Sequence, residues 1–299
     1  RALNKRDYIV SVAGSWHGSV DSLLFQPDNK LKPKFLSDGL TNNDKKKIIF
    51  IPYNDIEVSK KILNKNKTKI NSIIIEPIQA CLPLNNSKNY LKFLESFCKK
   101  NNITLIFDEI ITGVRSNGNS VQKKYNIKPD ITTIGKIVGG GMPVGVIGIS
   151  KNVYRNIKKK KIFYGGTFSG NSLSSFVGNE TLKYLIRNKK IIPKINEKCK
   201  FFQDNLNRYI NLNKMNLKIY RYSSILRIVY TKNKINNRTQ RDFFENKISD
   251  KINKFKKFLF QKKIYYPSNG IIFFSDATSK KNIDYVIKNI NFGFKKFFK

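Results

Sequence analysis

Short apolar runs alternate with longer amphipathic stretches through the first half of the chain. Six runs rich in β-branched residues predict strands at residues 8–12, 48–51, 73–76, 105–108, 131–135 and 144–149. Stretches of helical periodicity lie between them, such as residues 90–101, where Leu91, Leu94 and Cys98 fall on one side. Strands that alternate with helices predict an α/β fold with a mostly parallel sheet and flanking helices.

The pattern changes after a helix predicted over residues 173–187. The remainder predicts short strands and amphipathic helices in no βα alternation: a strand pair near 218–231, a helix near 247–262, a strand at 270–274 and a last helix from 283. We therefore expect a large α/β domain over residues 1–187 and a small α+β domain over residues 188–299.

Charge is the most unusual feature of the composition. The 58 Lys+Arg against 20 Asp+Glu give a net charge of +38, a surplus that would suit a nucleic-acid partner. The basic residues are mostly lysine, however, and they are scattered and accompanied by abundant Asn and Ile, residue types with AT-rich codons. We attribute the charge to genome composition, expect no nucleic-acid partner, and interpret the run at 151–163 as a solvated helix face. Nucleic-acid binding stays open as an alternative.

Other compositional features restrict the class of protein. No window holds eighteen consecutive apolar residues, so we predict no membrane span. The cysteines, Cys81, Cys98 and Cys199, have no CxxC spacing, which favours a reducing, cytoplasmic location and predicts no metal site. The chain begins at Arg1 as if at the end of a helix, and we expect an upstream segment to precede it.

Two acidic residues end the predicted strand at 105–108. In IFDEIITGVR, Asp108 and Glu109 follow an apolar run, and a buried carboxylate there needs a cation or hydrogen-bond donor as its partner. A protonated pyridine nitrogen would be such a partner, but metal sites, glycosidases and loop caps also contain this pair.

A lysine follows the next predicted strand. In DITTIGKIVGGGMPVG, Lys136 precedes three glycines, which allow close approach of a flat ligand or a neighbouring backbone. A lysine in partly apolar surroundings loses its proton readily and can form a Schiff base. The segment does not fit a phosphate-binding P-loop, because Ile137 stands where that motif has Ser or Thr. Asp108 and Lys136 are 28 residues apart, one strand–helix–strand unit, so both can reach the same sheet edge.

Read together, these motifs resemble the class III family of pyridoxal-phosphate aminotransferases of fold type I, in particular its glutamate-1-semialdehyde aminomutase branch. The resemblance also covers SWHGSVDSLL at 15–24, IIIEPIQA at 73–80 and YGGTFSGN at 164–171, and it resumes weakly at 265–278. It implies an aminotransferase or aminomutase that uses pyridoxal 5′-phosphate, acts on small amino and keto substrates, and forms a homodimer with shared active sites.

The resemblance also implies a role for each matching residue. Lys136 is similar to the lysine that holds the cofactor as a Schiff base and shuttles the proton, and Asp108 to the partner of the pyridine nitrogen. The remaining cofactor-binding residues implied are Ile110 and Trp16 on the two ring faces, His17 beside Trp16, Glu76 lining the site, and Thr167 at the cofactor phosphate of the neighbouring subunit.

For four of these residues a purely structural role stays open as an alternative. Trp16 could be a core aromatic residue and His17 a structural hydrogen-bonding residue, while Glu76 could cap a turn before Pro77 and Thr167 could hold its own turn.

The chain also departs from the family pattern. The Gly-Ser/Thr phosphate loop would lie before Arg1, and a catalytically impaired fragment is therefore an alternative. Ile111 stands where many transaminases of the family have Gln, and Ser172 where Pro is usual. The segment PSNGIIFFSDAT lacks the Glu and His expected of a true aminomutase, and the WHGSVD and GGTFSGN variants resemble relatives that aminate a sugar or ketone.

Overall fold

The computed structural model describes all residues from 1 to 299 and divides them into two compact units. The first unit consists of Arg1–Pro77, Asn86–Val114 and Asn119–Asn188. The second consists of Ile78–Asn85, Arg115–Gly118 and Lys189–Lys299. The two short segments of the second unit lie far ahead of its main part in sequence, and the hydrophobic pattern did not predict their grouping.

The first unit contains eight strands. They are β1 (Tyr8–Val12), β2 (Phe25–Pro27), β3 (Pro33–Phe35), β4 (Ile48–Ile51), β5 (Ile70–Ile75), β6 (Thr104–Asp108), β7 (Ile131–Gly135) and β8 (Gly145–Ile149).

Six of these strands form one sheet in the order β4-β1-β5-β6-β7-β8. The first five are parallel, and β8 runs antiparallel to β7. All six residues of β5 are buried, as expected of a continuous apolar strand in the middle of a sheet covered on both faces. The mostly parallel α/β fold predicted from the sequence is thus confirmed. The pattern did not predict the separate hairpin of β2 and β3, whose strands have three residues each.

The first unit has six helices, four that lie between its strands and two that follow β8. They are α1 (Asn42–Lys46), α2 (Ile56–Asn66), α3 (Lys88–Asn101), α4 (Val121–Tyr125), α5 (Lys151–Ile157) and α6 (Ser172–Arg187). The predicted apolar side of α3 is buried, including Leu91, Leu94 and Cys98. Helix α5 is largely exposed with only Val153 buried, so the basic run forms a solvated helix over its first seven residues, and residues 158–163 lie outside the helix.

The second unit packs helices against a small antiparallel sheet. Its helices are α7 (Ile191–Leu212), α8 (Arg238–Asn246), α9 (Ser249–Gln261) and α10 (Lys280–Phe298). Its strands are β9 (Lys218–Tyr222), β10 (Ile225–Val229) and β11 (Ile271–Ile272), and they lie in the order β11-β10-β9.

None of the helices in the chain is both long enough and apolar enough to cross a lipid bilayer.

The strand predicted at 270–274 has only two paired residues, Ile271 and Ile272. Gly270 adopts a φ of +73°, and the Arg227 guanidinium occupies the space that a side chain at position 270 would need. Arg227 also donates a hydrogen bond to the Asn269 carbonyl. The chain therefore turns at Gly270 before it enters the strand, which begins at Ile271.

Candidate active site

Three of the predicted site residues lie at the carboxyl edge of the large sheet. Asp108 is the last residue of β6, Glu76 directly follows β5, and Lys136 directly follows β7. Asp108 is paired with Thr133 on β7, so Lys136 lies three residues beyond the strand neighbour of Asp108. At about 3.3 Å per residue, this is roughly 10 Å along the strand, which a lysine side chain largely spans. Ligands of open α/β sheets bind at this edge.

Asp108 is buried, and each of its carboxylate oxygens has one hydrogen-bond partner from the same unit. Its side chain has 6% of its surface exposed, and Oδ2 lies 2.8 Å from Nδ1 of His17. Oδ1 accepts a hydrogen bond from the backbone N–H of Ile110 at 3.1 Å. His17 follows β1, 91 residues earlier in the chain, so the fold rather than local sequence creates this pair.

His17 has one unused ring nitrogen. Its side chain is only 3% exposed, and Nε2 is buried without a hydrogen-bond partner. Buried polar groups are nearly always satisfied, so this nitrogen has an unused hydrogen-bonding capacity that a bound polar group could fill.

Glu76 and Trp16 act as a pair. The buried Glu76 accepts a hydrogen bond from the backbone N–H of Trp16 at 2.7 Å through Oε1. The Trp16 residue is 55% exposed and thus is not a core aromatic residue. Glu76 therefore fixes the backbone that carries an accessible indole ring at the sheet edge.

Lys136 has unusual backbone geometry and an exposed position. Its φ is +52°, in the left-handed region that non-glycine residues rarely occupy, and it begins a 3-10 turn over Lys136–Gly139. The residue is exposed, so the partly apolar surroundings predicted from the sequence are not present in this unit. In the turn that follows β7, Val138 and Gly139 are buried, whereas Lys136 at its start is not. Non-glycine residues in this conformation concentrate at functional sites.

Ile110 lies beside the same turn. A side chain added at Gly135 would come within 3.6 Å of Cγ2 of Ile110. Ile110 therefore lies next to the residue that precedes Lys136.

Thr167 lies in an exposed segment with Tyr164 and Phe168, which are 87% and 82% exposed. Its role at the cofactor phosphate of a neighbouring subunit stays a prediction.

The glycine triplet serves the packing of a helix. The residues Gly139 and Gly140 lie against α6, where a Cβ at Gly140 would overlap Oγ1 of Thr181 and a Cβ at Gly178 would lie 2.9 Å from the Val138 carbonyl oxygen. The sequence suggested that these glycines allow close approach either of a flat ligand or of a neighbouring backbone. The structure shows the second, an approach of α6.

We expect Gly140→Ala to destabilise the turn that carries Lys136. The added methyl group meets Thr181, and φ at this position is +58°, so the loss should be about 2–4 kcal/mol in the free energy of unfolding. Gly141→Ala is the matched control, because φ is +100° but nothing lies within 4 Å, and backbone strain alone should cost about 1–2 kcal/mol. Urea unfolding measures both, and equal losses in the two variants would contradict the packing role of Gly140.

Glu109 has a different task from its neighbour Asp108. Its carboxylate accepts hydrogen bonds from the backbone N–H groups of Val121 and Gln122 at 2.8 and 3.0 Å and from the Thr112 hydroxyl at 2.9 Å. It thereby anchors the first turn of α4, and of the two adjacent carboxylates only Asp108 contacts His17.

We expect stability to depend on pH through Glu109. Desolvation raises the pKa of this carboxyl, although the three hydrogen bonds oppose the rise. Between its ordinary pKa of about 4.3 and the raised value, the folded protein binds more protons than the unfolded chain, so the free energy of unfolding falls as pH rises through that window. Glu109→Gln cannot titrate and should remove this component. Unfolding curves that shift in parallel for both proteins over the acidic range would count against the assignment.

One polar residue at the sheet edge was missed by the sequence interpretation. Thr133 faces the same side of the sheet as its strand partner Asp108, and its Oγ1 is buried without a hydrogen-bond partner. The sequence could not single it out, because Thr132 beside it is also a threonine but has a hydrogen-bond partner.

A cavity of about 480 Å³ lies elsewhere in the first unit. It is lined by residues at the amino ends of β6 and β7, among them Thr104, Leu105 and Asp130. It is therefore at the sheet edge opposite Asp108 and Lys136, and it is not the candidate site.

Comparison with known proteins agrees with this geometry. The family model described as aminotransferase class-III matches residues 1–246. The glutamate-1-semialdehyde 2,1-aminomutase of Thermosipho melanesiensis is 35% identical over 91% of this chain and 62% of its own length. The protein of that name from Flavobacterium johnsoniae is 30% identical over 97% of this chain and 69% of its own length. The chain thus spans 62% and 69% of the lengths of these two relatives.

Solved structures share the fold. An ω-transaminase from Sphaerobacter thermophilus has a TM-score of 0.86 at 18% identity, with 99% of this chain and 69% of that chain covered. A glutamate-1-semialdehyde aminomutase from Pseudomonas aeruginosa in complex with PMP has a TM-score of 0.85 at 15% identity, with 99% and 68% covered. At such identities the likeness concerns the fold alone, which is that of fold type I.

Proposed function

Since this chain belongs to the class-III aminotransferase family, we propose that it binds pyridoxal 5′-phosphate and moves an amino group between carbon atoms of small amino and keto compounds. The observation that carries the proposal is the buried Asp108–His17 pair at the sheet edge where Lys136 follows β7. The comparisons do not favour the nucleic-acid alternative.

The residues present fit the cofactor. Asp108 supplies a buried negative charge for a protonated ring nitrogen, Trp16 an accessible aromatic face, and His17 an unused buried nitrogen. When bound, pyridoxal phosphate supplies an electron-accepting ring that stabilises negative charge on the substrate carbon.

Asp108 would keep the ring nitrogen protonated. A carboxylate in a site of low dielectric interacts strongly with a nearby cation, and its own position is fixed by His17 and by the Ile110 N–H. Fixing the carboxylate beforehand reduces the reorganisation needed when the ring binds.

Lys136 would hold the cofactor covalently and afterwards move a proton from the substrate carbon. The turn that begins at this lysine places its amine beyond the end of β7. A general base within reach of the proton that it removes contributes about 10²–10⁴-fold to a rate.

Trp16 and Ile110 would enclose the two faces of the ring. The half-exposed indole is held through its backbone by Glu76, and Ile110 lies against Gly135. Such enclosure excludes water and aligns the reacting bond.

We further propose a homodimer with shared active sites. Large apolar side chains of the first unit are exposed, namely Val146, Ile147, Phe163, Tyr164, Phe168 and Phe176. Their burial against a second copy would bring Thr167, which lies among them in sequence, to the cofactor phosphate of the partner subunit.

We expect Phe168→Asp to weaken the dimer at least about tenfold, because a charge would enter an apolar interface. Sedimentation equilibrium measures the dissociation constant, and Phe260→Asp is the control at a 71% exposed phenylalanine of the second unit. A chain that is monomeric before substitution, or equal effects of the two variants, would exclude this interface.

The relatives named glutamate-1-semialdehyde 2,1-aminomutase favour an aminomutase over a transaminase. We propose that the substrate is glutamate-1-semialdehyde or a similar short amino aldehyde, and that its amino group moves from carbon 2 to carbon 1 of one molecule. The three unpaired cysteines suit a reducing compartment, for which we propose the cytoplasm.

The test is an assay of the pyridoxal-phosphate-loaded protein with glutamate-1-semialdehyde and no other amino compound. We expect a product with the amino group on carbon 1. Conversion only when a second amino donor is supplied would indicate a transaminase, and absence of any conversion with either substrate set would contradict the proposed function.

A further inference from the structure

Thr133 occupies a position beside Asp108 that is fixed by strand pairing. The two residues are partners in the parallel register of β6 and β7, so their side chains project from the same face of the sheet. The preceding residue, Thr132, projects from the opposite face, where its hydroxyl accepts a hydrogen bond from Nε2 of Gln122 at 3.1 Å.

The hydroxyl of Thr133 has no such partner. Its Oγ1 is buried and unpartnered, whereas the backbone carbonyl of the same residue accepts a hydrogen bond from the Glu109 N–H at 2.9 Å. Both oxygens of Asp108 are already engaged, by His17 and by Ile110. An unsatisfied buried hydroxyl costs about 1–3 kcal/mol, which is a reason to expect that a bound group satisfies it.

A second unpartnered atom lies next to the same carboxylate. Nε2 of His17 is also buried and unsatisfied, and His17 contacts Asp108 directly. Thr133 and His17 thus each place an unsatisfied polar atom beside the buried Asp108 carboxylate, and Thr133 lies three residues before Lys136. These two atoms indicate that a ligand with polar groups binds here.

We propose that Thr133 is a further cofactor-binding residue, whose hydroxyl forms a hydrogen bond with a polar substituent of the pyridine ring that Asp108 holds. This inference rests on the proposed function and specifies a contact of the same site. The hydroxyl can donate or accept, so it can satisfy either a ring substituent with a lone pair or one with a proton.

The experiment uses Trp16, the single tryptophan of the chain, as the reporter of cofactor binding. Quenching of its fluorescence during titration with pyridoxal phosphate gives the dissociation constant, and thermal unfolding without cofactor gives the stability. We expect Thr133→Val to weaken binding about tenfold, the worth of one hydrogen bond, and Thr133→Ser to bind like the original chain.

Thr132→Val is the matched control on the same strand. It should lower the unfolding temperature without cofactor, because it breaks the bond to Gln122, and leave the dissociation constant unchanged. Thr133→Val should instead keep or raise that temperature, because it removes an unsatisfied hydroxyl.

The outcomes separate this inference from the proposed function. An original chain that does not bind pyridoxal phosphate overturns both. If the original chain binds it and Thr133→Val binds equally well, only the role of Thr133 is overturned, and a buried water satisfies the hydroxyl. A stability loss in Thr133→Val as large as in Thr132→Val overturns it as well, because the hydroxyl then has a structural task.

Discussion

Lys136→Ala is expected to reduce amino transfer by at least about 10³-fold, because the variant lacks both the amine that bonds to the cofactor and the base that moves the proton. It should also lose the near-visible absorbance of the lysine-bound cofactor. Lys136 is exposed at the end of β7, so the substitution removes no core contact and the unfolding temperature should stay close to that of the original chain.

The control for this substitution is another exposed lysine. Lys151→Ala, at the first residue of α5, should keep both the absorbance and the activity. Steady-state kinetics and absorbance spectra on the three proteins provide the comparison. Persistence of the absorbance band in Lys136→Ala would assign the covalent bond to a different lysine.

Asp108→Asn is expected to have the second largest effect, about 10³-fold on the turnover number. The amide has nearly the shape of the carboxylate. Its oxygen can still accept a hydrogen bond from the Ile110 N–H, and its NH2 group can donate one to Nδ1 of His17, so the fold should persist. It lacks the negative charge that keeps a ring nitrogen protonated. The spectrum of the bound cofactor should therefore change together with the rate.

The adjacent carboxylate offers a contrasting variant. Glu109→Gln should alter stability through α4 while the rate per folded molecule stays within about tenfold, because Glu109 bonds to Val121, Gln122 and Thr112 rather than to His17. Urea unfolding and kinetics on both variants separate the two roles. If Asp108→Asn instead lost stability and retained its rate, Asp108 would be a structural residue.

The strands could be predicted because their apolar runs are short, rich in β-branched residues and bounded by polar segments. The bounds of β1, β4 and β7 match the prediction, since each strand is one unbroken run of mostly apolar and β-branched residues. The hairpin of β2 and β3 was missed, because its three-residue strands are too short to show an alternation of apolar and polar residues and each contains a proline.

The site could be predicted only as far as its residues stand in local motifs. Asp108 and Lys136 each follow an apolar strand, and the topology places both at one edge. The contact of Asp108 with His17 joins residues 91 positions apart, and no local pattern reports such a contact. Asp108 contacts His17 whereas Glu109 binds the first turn of α4, and this difference likewise depends on where α4 begins in the fold.

The exposure of Lys136 was predicted wrongly for a related reason. A following run of apolar residues and glycines suggested apolar surroundings, but Gly139 and Gly140 serve the contact with α6 instead. Burial depends on which surfaces meet, and the order of residues in one segment does not specify that.

A crystal structure of the chain with pyridoxal phosphate tests the central claim most directly. We predict continuous electron density from Nζ of Lys136 to the cofactor, and a distance of about 2.7–3.2 Å between an Asp108 carboxylate oxygen and the ring nitrogen. A cofactor bonded to another lysine, or a ring nitrogen well away from Asp108 with protein packed between them, would contradict it.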